Sequence, residues 1–149
     1  MQTGGVTGLV VCAAALLLAS AFGVVRATRG GRLRARPRDG AVRLSAAELK
    51  AELGNRATLV QFSTAFCQPC RATRRLLAEI AATMPGTAHV EIDAEDRLEL
   101  VRRLGILRTP TVLVLDRAGR VVGRASGQPR RAEVMAAISE ATGATTPPP

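Results

Sequence analysis

Apolar residues follow two different patterns along the chain, and these patterns separate a membrane-type segment from a domain. Residues 6–25 contain no charged side chain and are mostly Val, Leu, Ala and Gly. A helix of about twenty residues rises about 30 Å, which matches the hydrocarbon core of a bilayer. We therefore predict a transmembrane helix over 6–25, preceded by a short N-terminal tail at 1–5.

From residue 44 onward, short apolar stretches alternate with stretches in which apolar residues recur every three or four positions. The first pattern is typical of buried strands and the second of amphipathic helices. The predicted order is helix, strand, helix, strand, helix, strand, strand, helix. In chain order the predicted elements are a helix capped by Ser45, then 57–62, 67–83, 87–93, 95–104, 111–115, 120–126 and 130–141.

This order of elements predicts an α/β domain over 44–141. A strand–helix–strand unit implies a right-handed parallel crossover, whereas the tight turn Asp116–Gly119 makes the last two strands antiparallel. The result is a mixed central sheet with helices on both faces. The tail at 142–149 is predicted to be disordered.

Two of the helices carry more specific predictions. Ser45 and Glu48 have the spacing of a capping box, and Gly54 is expected to end the helix that they begin. The second of these helices is the short one predicted at 95–104. The residues expected on the inner faces are Leu44, Leu49 and Leu53 in the first helix and Leu98, Val101 and Leu104 in the second.

The apolar segment has two alternative interpretations. Ala19-Ser20-Ala21 resembles the cleavage site of a signal peptide, but such a peptide needs positive charge before its apolar region. The first five residues, MQTGG, contain no Lys or Arg. A lipoprotein role for Cys12 is disfavoured because most of the apolar run follows that cysteine. A retained helix remains the preferred interpretation.

Arginine is concentrated directly after the apolar segment, in a predicted linker at 26–43. The formal net charge is +9, and six positive charges come from Arg26, Arg29, Arg32, Arg34, Arg36 and Arg38. Positive flanks stay on the cytoplasmic side of a membrane, which predicts a single-pass protein of the cell membrane with its domain in the cytoplasm; the alternative is an extracytoplasmic domain. Each arginine would gain about 1 kcal/mol from anionic headgroups. Because the charge is local and aromatic residues are scarce, nucleic-acid binding is not expected.

Two cysteines stand three positions apart, where a strand is predicted to give way to a helix. The free N–H groups and the dipole at a helix N-terminus favour an anion, so Cys67 is the candidate nucleophile in its thiolate form. Cys70, one turn later, is the candidate resolving thiol. Pro69 is tolerated in a first helical turn. The pattern predicts dithiol–disulfide exchange through a mixed disulfide.

Two other uses of the cysteine pair are less favoured. A structural zinc site needs about four ligands, and the remaining candidates of the usual kind are Cys12, in the apolar segment, and His89. We therefore predict no metal. A purely structural disulfide would close a loop too short to add much stability.

The segment FCQPC resembles the W-C-x-P-C active site of the thioredoxin family, in the strand-to-helix context that this motif requires. Thr109-Pro110, just before a predicted strand, resembles the family's cis-proline segment, and Gly127 resembles a glycine that lines the substrate groove. The resemblance covers 44–141 and implies a thioredoxin fold. The residues that it assigns to substrate binding and support of the active site are Phe66, Pro69, Thr109, Pro110 and Gly127.

The chain departs from the family pattern at four positions. Phe66 and Ser63 stand where the family usually or often has tryptophan. Gln61 replaces a buried aspartate that is proposed to take a proton from the resolving thiol, and glutamine cannot act as a general base. His89 aligns with a lysine that often neighbours that aspartate. It is a candidate proton acceptor, although an ordinary strand histidine is the more favoured interpretation.

The expected function is that of a membrane-tethered thioredoxin-like protein-disulfide oxidoreductase. The resemblance implies no cofactor beyond the redox-active Cys67–Cys70 disulfide. It also implies protein thiol or disulfide substrates and an upstream electron donor such as a thioredoxin reductase. The alternative is a non-catalytic binding or scaffold protein with the same fold, which Gln61 and the missing tryptophans would suit.

Overall fold

The structure is a computed structural model that describes residues 3–30, 32–34 and 42–143, without the side chains of 3–5 and 26–30. The contacts within the chain divide it into two compact units, and the boundary in the sequence lies between Gly30 and Gly31. The predicted tail from residue 144 on and the middle of the predicted linker, which includes Arg36 and Arg38, lie outside the described residues.

The first unit is one long helix, α1, at Thr3–Gly30. Its apolar part, Val6–Val25, has a mean hydropathy of 2.5 and no buried side chain. It is long and apolar enough to cross a membrane, and a signal sequence near an N-terminus has the same length and composition. The helix continues beyond the predicted end of the span at residue 25, and no Gly or Pro stands between Val25 and Gly30 to interrupt it.

The second unit contains a four-stranded sheet with the strand order β2-β1-β3-β4. Strand β1 pairs in parallel with β2, and β1–β3 and β3–β4 are antiparallel pairs. This arrangement confirms the predicted mixed sheet. The elements are α2 at Ala46–Leu49, β1 at Ala57–Ser63, α3 at Gln68–Thr83, β2 at Thr87–Asp93, α4 at Leu98–Arg103, β3 at Thr111–Asp116, β4 at Val121–Ser126 and α5 at Arg131–Ala141.

Two apolar cores lie on opposite faces of this sheet. On one face Leu59 and Val112 pack in a cluster with Leu77 of α3 and Val134 of α5. On the other face the cluster includes Leu49 of α2 and Leu100 of α4. It also includes strand residues that alternate along the chain with those of the first face, namely Val60, Phe62, Leu113 and Leu115. The prediction of helices on both faces is therefore confirmed.

Helix α2 is shorter than the sequence predicts. Its capping box is present: the Glu48 N–H donates to Ser45 Oγ over 3.2 Å, and the Ser45 N–H donates to Glu48 Oε2 over 2.9 Å. The helix nevertheless ends at Leu49, and the prediction that Gly54 ends it is wrong. Lys50 adopts a left-handed conformation with φ 53°, and the N–H groups of residues 50 and 51 turn back to the first two helical carbonyls in a Schellman motif.

Helix α4 begins later than predicted, and this moves one residue out of the core. Asp93 Oδ1 accepts the N–H of Glu95 over 2.8 Å, which holds the chain in a turn rather than a helix. Leu98 therefore stands at the first helical position and is 53% exposed. The prediction that it faces inward is wrong. Leu104 is buried and Val101 is partly buried, as predicted, and Leu100 is buried as well.

Part of the predicted linker at 26–43 pairs with the outer edge of β4. The Arg34 N–H donates to the Arg124 carbonyl over 2.8 Å, and the Arg124 N–H donates back to Arg34 over 3.1 Å. Further along, Val121 donates to the Val42 carbonyl over 3.1 Å. The described parts of this segment thus satisfy backbone groups at a sheet edge.

A buried carboxylate organises the turn between β3 and β4. Asp116 Oδ1 accepts the backbone N–H groups of Ala118 and Arg120 over 2.8 and 2.9 Å, and its Oδ2 accepts Arg120 Nε over 2.8 Å. Burial alone would raise the pKa of Asp116, but these hydrogen bonds outweigh it and lower the pKa. Gly119 completes the turn at φ 76°, which suits glycine.

Replacing Asp116 by asparagine is expected to lower the free energy of unfolding at pH 7 by about 1–3 kcal/mol, because charged hydrogen bonds are lost. The pKa of Asp116 is lower in the folded state than in the unfolded state. Its stabilisation is therefore present above about pH 4 and is lost as the pH falls through the folded pKa. Urea unfolding at pH 7 and at about pH 2.5 checks this. The difference between wild type and variant should become smaller at the lower pH, and the exposed Asp96→Asn should show no difference from wild type at either pH.

Candidate active site

The two cysteines lie at the junction between β1 and α3 and form a disulfide. The sulfur atoms are 2.07 Å apart, and the Cα atoms of Cys67 and Cys70 are 5.2 Å apart. Cys67 is the N-cap of α3, and its Sγ accepts the N–H of Cys70 over 3.2 Å. Pro69 occupies the first helical turn, where its missing N–H breaks no helical bond.

The environments of the two sulfurs differ. Cys67 is partly exposed, whereas Cys70 is 1% exposed. No acidic side chain stands in the first turn of α3, so the helix N-terminus favours an anion at Cys67 once the disulfide is reduced. Cys67 is therefore the sulfur that a large substrate can reach, and Cys70 is the one that can attack from within.

The predicted proline segment has the expected backbone. The Thr109–Pro110 peptide bond is cis. Thr109 Oγ1 and Thr64 Oγ1 lie 3.1 Å apart and share a hydrogen bond, which connects the proline loop to the loop that leads into the cysteines. The Gly127 N–H donates to the Pro110 carbonyl over 2.7 Å, and Gly127 has φ 114°, a conformation that favours glycine.

Apolar side chains stand free on the surface of these loops. Phe66, next to Cys67, is fully exposed, and Leu107, shortly before the cis-proline, is 93% exposed. Thr109 is partly exposed and Pro110 is buried. An exposed aromatic ring beside a reactive sulfur offers contact area to a partner chain.

Next to the disulfide lies a polar network that the sequence did not reveal, buried at Gln61 and Ser63 and exposed at Glu91. Gln61 is completely buried, and its Nε2 donates to the Cys70 carbonyl over 2.8 Å and to Ser63 Oγ over 2.9 Å. Ser63 Oγ donates in turn to Glu91 Oε1 over 2.6 Å. Glu91 is held from the other side by Arg74, with Nε 2.6 Å from Oε2. The network could have been predicted from the pairing of β1 with β2, which sets Gln61 opposite Glu91.

His89 lies on β2, two residues before Glu91, and is half-buried. Burial lowers the pKa of His89, the Arg74 charge lowers it further, and the Glu91 charge opposes this change. The imidazole is therefore neutral at pH 7, and its Nε2 is buried without a hydrogen-bond partner. Its role as a proton acceptor stays a prediction.

An open cleft of about 460 Å³ borders the disulfide. It is lined by both cysteines and by polar groups of β1, α3 and β2, which include Ser63, Arg74, Glu91 and Asp93. Within the described residues no three His, Cys, Asp or Glu side chains come together as a metal site.

A family model described as thioredoxin matches residues 41–140. The chain belongs to the thioredoxin family. Among its relatives is a thioredoxin H-type protein of Oryza sativa subsp. indica, 26% identical over 99 residues, which are 64% of this chain and 77% of the relative. Thioredoxin H4 of Arabidopsis thaliana is 26% identical over 98 residues, 65% of this chain and 81% of the relative.

Solved thioredoxin structures agree with this assignment. Spinach chloroplast thioredoxin f superposes with a TM-score of 0.52 at 25% identity, over 59% of this chain and 78% of that one. Thioredoxin NaTrxh of Nicotiana alata gives a TM-score of 0.53 at 24% identity, over 59% and 75% of the two chains. The thioredoxin fold predicted from the sequence is therefore confirmed.

Family membership also establishes the chemistry of the cysteine pair. This thioredoxin domain is a thiol–disulfide oxidoreductase whose redox centre is the Cys67–Cys70 disulfide. Thioredoxin chemistry needs no cofactor, because the two electrons are carried by the sulfur atoms themselves. Thiols of proteins and a reductase are its general partners.

Proposed function

We propose that this thioredoxin works at a membrane, where it reduces disulfides of protein substrates on the cytoplasmic side. The observation that carries the proposal is the Cys67–Cys70 disulfide at the N-terminus of α3, with Cys67 partly exposed. The apolar helix α1 and the arginines that follow it support the placement of the protein at a membrane. A reducing direction suits the cytoplasm, where thiols are kept reduced.

The reduction proceeds in two exchange steps. The Cys67 thiolate attacks one sulfur of the substrate disulfide, forms a mixed disulfide and expels the other substrate sulfur as a thiolate. Cys70, as a thiolate, then attacks Cys67 Sγ, closes the intramolecular disulfide and releases the second substrate sulfur. The substrate gains two electrons and the enzyme loses two, which a thioredoxin reductase returns.

The surface around Cys67 supports a protein as the substrate. Phe66 and Leu107 expose apolar area on both loops that flank the site, and the backbone of the cis-proline loop is tied to the cysteine loop through Thr109. We propose Phe66, Pro69, Thr109, Pro110 and Gly127 as the residues that receive the substrate chain.

Tethering would place the enzyme among membrane-bound substrates. When enzyme and substrate are held at the same membrane, the effective concentration of the substrate near the enzyme rises without any new contact between them. Arg32 and Arg34, the described arginines of the juxtamembrane tract, are exposed and available to anionic headgroups.

Labelling of the cysteines in intact cells tests the sidedness and the redox state together. The chain is expressed with Cys12→Ser, so that only the active-site pair can react. Cells are treated with a membrane-impermeant maleimide, and a second sample is treated after lysis under acid quench. We expect protection in intact cells and free thiols after lysis, in the membrane fraction, with a mass that includes residues 1–25.

Each part of the proposal can fail separately in this experiment. Labelling in intact cells would place the domain outside the cytoplasm. A disulfide in the lysed sample would oppose the reducing direction. A mature chain that begins near Ala21 would show that the apolar segment is a cleaved signal peptide. A matched variant with Cys67→Ser and Cys70→Ser reports background labelling.

A further inference from the structure

The resolving step requires a base, and the position where the family places one holds an amide. Cys70 must lose its proton before it can attack Cys67 Sγ, because the thiolate is the attacking species. Gln61 lies against the Cys70 carbonyl, but a glutamine side chain cannot take up this proton. A proton acceptor must therefore come from another residue near the cleft.

Hydrogen bonds through Gln61 and Ser63 connect the Cys70 backbone to a carboxylate, and Gln61 donates in both directions. The Cys70 carbonyl can only accept, so the Gln61 amide must present its Nε2 there. Nε2 also donates to Ser63 Oγ, which leaves the Ser63 hydroxyl proton for Glu91 over 2.6 Å. Glu91 thus accepts the last of the hydrogen bonds that connect it, through Ser63 and Gln61, to the backbone carbonyl of Cys70.

The charged groups that face Glu91 come from α3 and β2. Arg74 on α3 forms a two-pronged ion pair with it, with Nε 2.6 Å from Oε2 and Nη2 2.8 Å from Oε1. Arg71, also on α3, and Asp93 on β2 line the same cleft, and His89 on β2 is neutral. The β1 residues of the network carry no charge.

We propose that Glu91 is the proton acceptor for Cys70 in the resolving step, in place of the family's buried acid. The carboxylate and both cysteines line one cleft of about 460 Å³, which has room for several waters at about 30 Å³ each. The inference rests on the exchange reaction of the proposed function and names the residue that completes it.

In the mixed disulfide, the proton of the Cys70 thiol passes through cleft water to the Glu91 carboxylate. The Cys70 sulfur forms a bond to Cys67 Sγ, the bond between Cys67 and the substrate sulfur breaks, and the substrate leaves as a thiolate. Glu91 then returns its proton to the solvent or to that thiolate.

Glu91→Gln is the informative variant because it removes the charge and keeps the shape. Its amide oxygen can still accept the Ser63 hydroxyl and an N–H of Arg74. The full chain, with Cys12→Ser and in detergent micelles, is reduced and mixed with a symmetric peptide disulfide. The first exchange step releases one peptide thiol and the second step releases another, so acid quench and mass spectrometry follow both steps and the mixed disulfide.

We expect the second release to slow on the order of 10²-fold at pH 7, which is the scale of general-base catalysis. The first release should not slow, since removal of an anion near Cys67 favours its thiolate. The defect should shrink above about pH 9, where the thiol ionises without a base. A merely structural role would give a defect that does not depend on pH.

Asp93→Asn is the matched control, since it removes one negative charge from the same cleft without touching the Ser63 hydrogen bond. It should leave both steps within about twofold of wild type. Normal resolution in Glu91→Gln, or an equal defect in Asp93→Asn, would overturn the proposal. A wild-type chain that releases no peptide thiol at all would instead contradict the proposed function.

Discussion

Replacement of Cys67 by serine is expected to lower the rate of disulfide reduction on the order of 10³-fold or more, since the attacking thiolate is removed. A serine hydroxyl in the same place stays protonated at neutral pH and cannot open a disulfide. The measurement is turnover of insulin by the full chain in micelles, with dithiothreitol as the reductant and the uncatalysed rate subtracted.

Cys70→Ser separates the two roles, because the first attack needs only Cys67. This variant should form the mixed disulfide at an unchanged rate and then hold it, so that mass spectrometry finds the substrate attached to Cys67. Cys12→Ser, outside the site, should keep full activity. Turnover in Cys67→Ser would show that the roles are reversed. Unchanged turnover after replacement of both cysteines would remove the pair from the reaction. No turnover in the wild type, with partner binding retained after replacement of both cysteines, would favour the scaffold alternative.

Phe62→Ala is expected to lower the free energy of unfolding by about 3–5 kcal/mol, the usual cost of removing a buried aromatic ring and leaving a cavity. Phe62 is 0% exposed, in the centre of the core that β1 shares with α2 and α4. It lies five residues before Cys67, so the loss should also loosen the strand that presents the cysteines. Urea unfolding, with the transition midpoint and slope fitted together, gives the difference.

Phe66→Ala makes the same chemical change on a ring that is fully exposed. The expected change in the free energy of unfolding is within about 0.5 kcal/mol, as for other surface substitutions. Its effect should fall on the KM for a protein substrate instead. A large destabilisation by Phe66→Ala, or a small one by Phe62→Ala, would contradict the packing described for the two rings.

Much of the fold was predictable because each element carries its own local signal. The strands β1 and β3 are apolar runs, and the capping box at Ser45 marks the start of a helix. The motif around Cys67 and the cis bond at Pro110 followed from a resemblance that depends on few residues at fixed separation. The errors fell at helix ends, where competing turn geometries at Lys50 and Asp93 decide the outcome.

The polar interior could not be predicted in the same way. Glu91 is an exposed strand residue, and only the register of β1 and β2 shows that its carboxylate lies beside Ser63. Arg124, a charged residue in a strand, is 5% exposed, and its guanidinium donates to the Leu104 carbonyl over 2.9 Å. Such contacts depend on partners distant in sequence, and no local pattern specifies them.

The pairing of Arg34 with Arg124 and of Val42 with Val121 bears on how the domain resists aggregation. A chain cut at the predicted boundary, residue 44, would leave the edge of β4 with free N–H and C=O groups. Such an edge is a template for the strand of a neighbouring molecule. The described residues 32–34 and 42 therefore cover part of this edge, and we expect a soluble form of the domain to begin before residue 32.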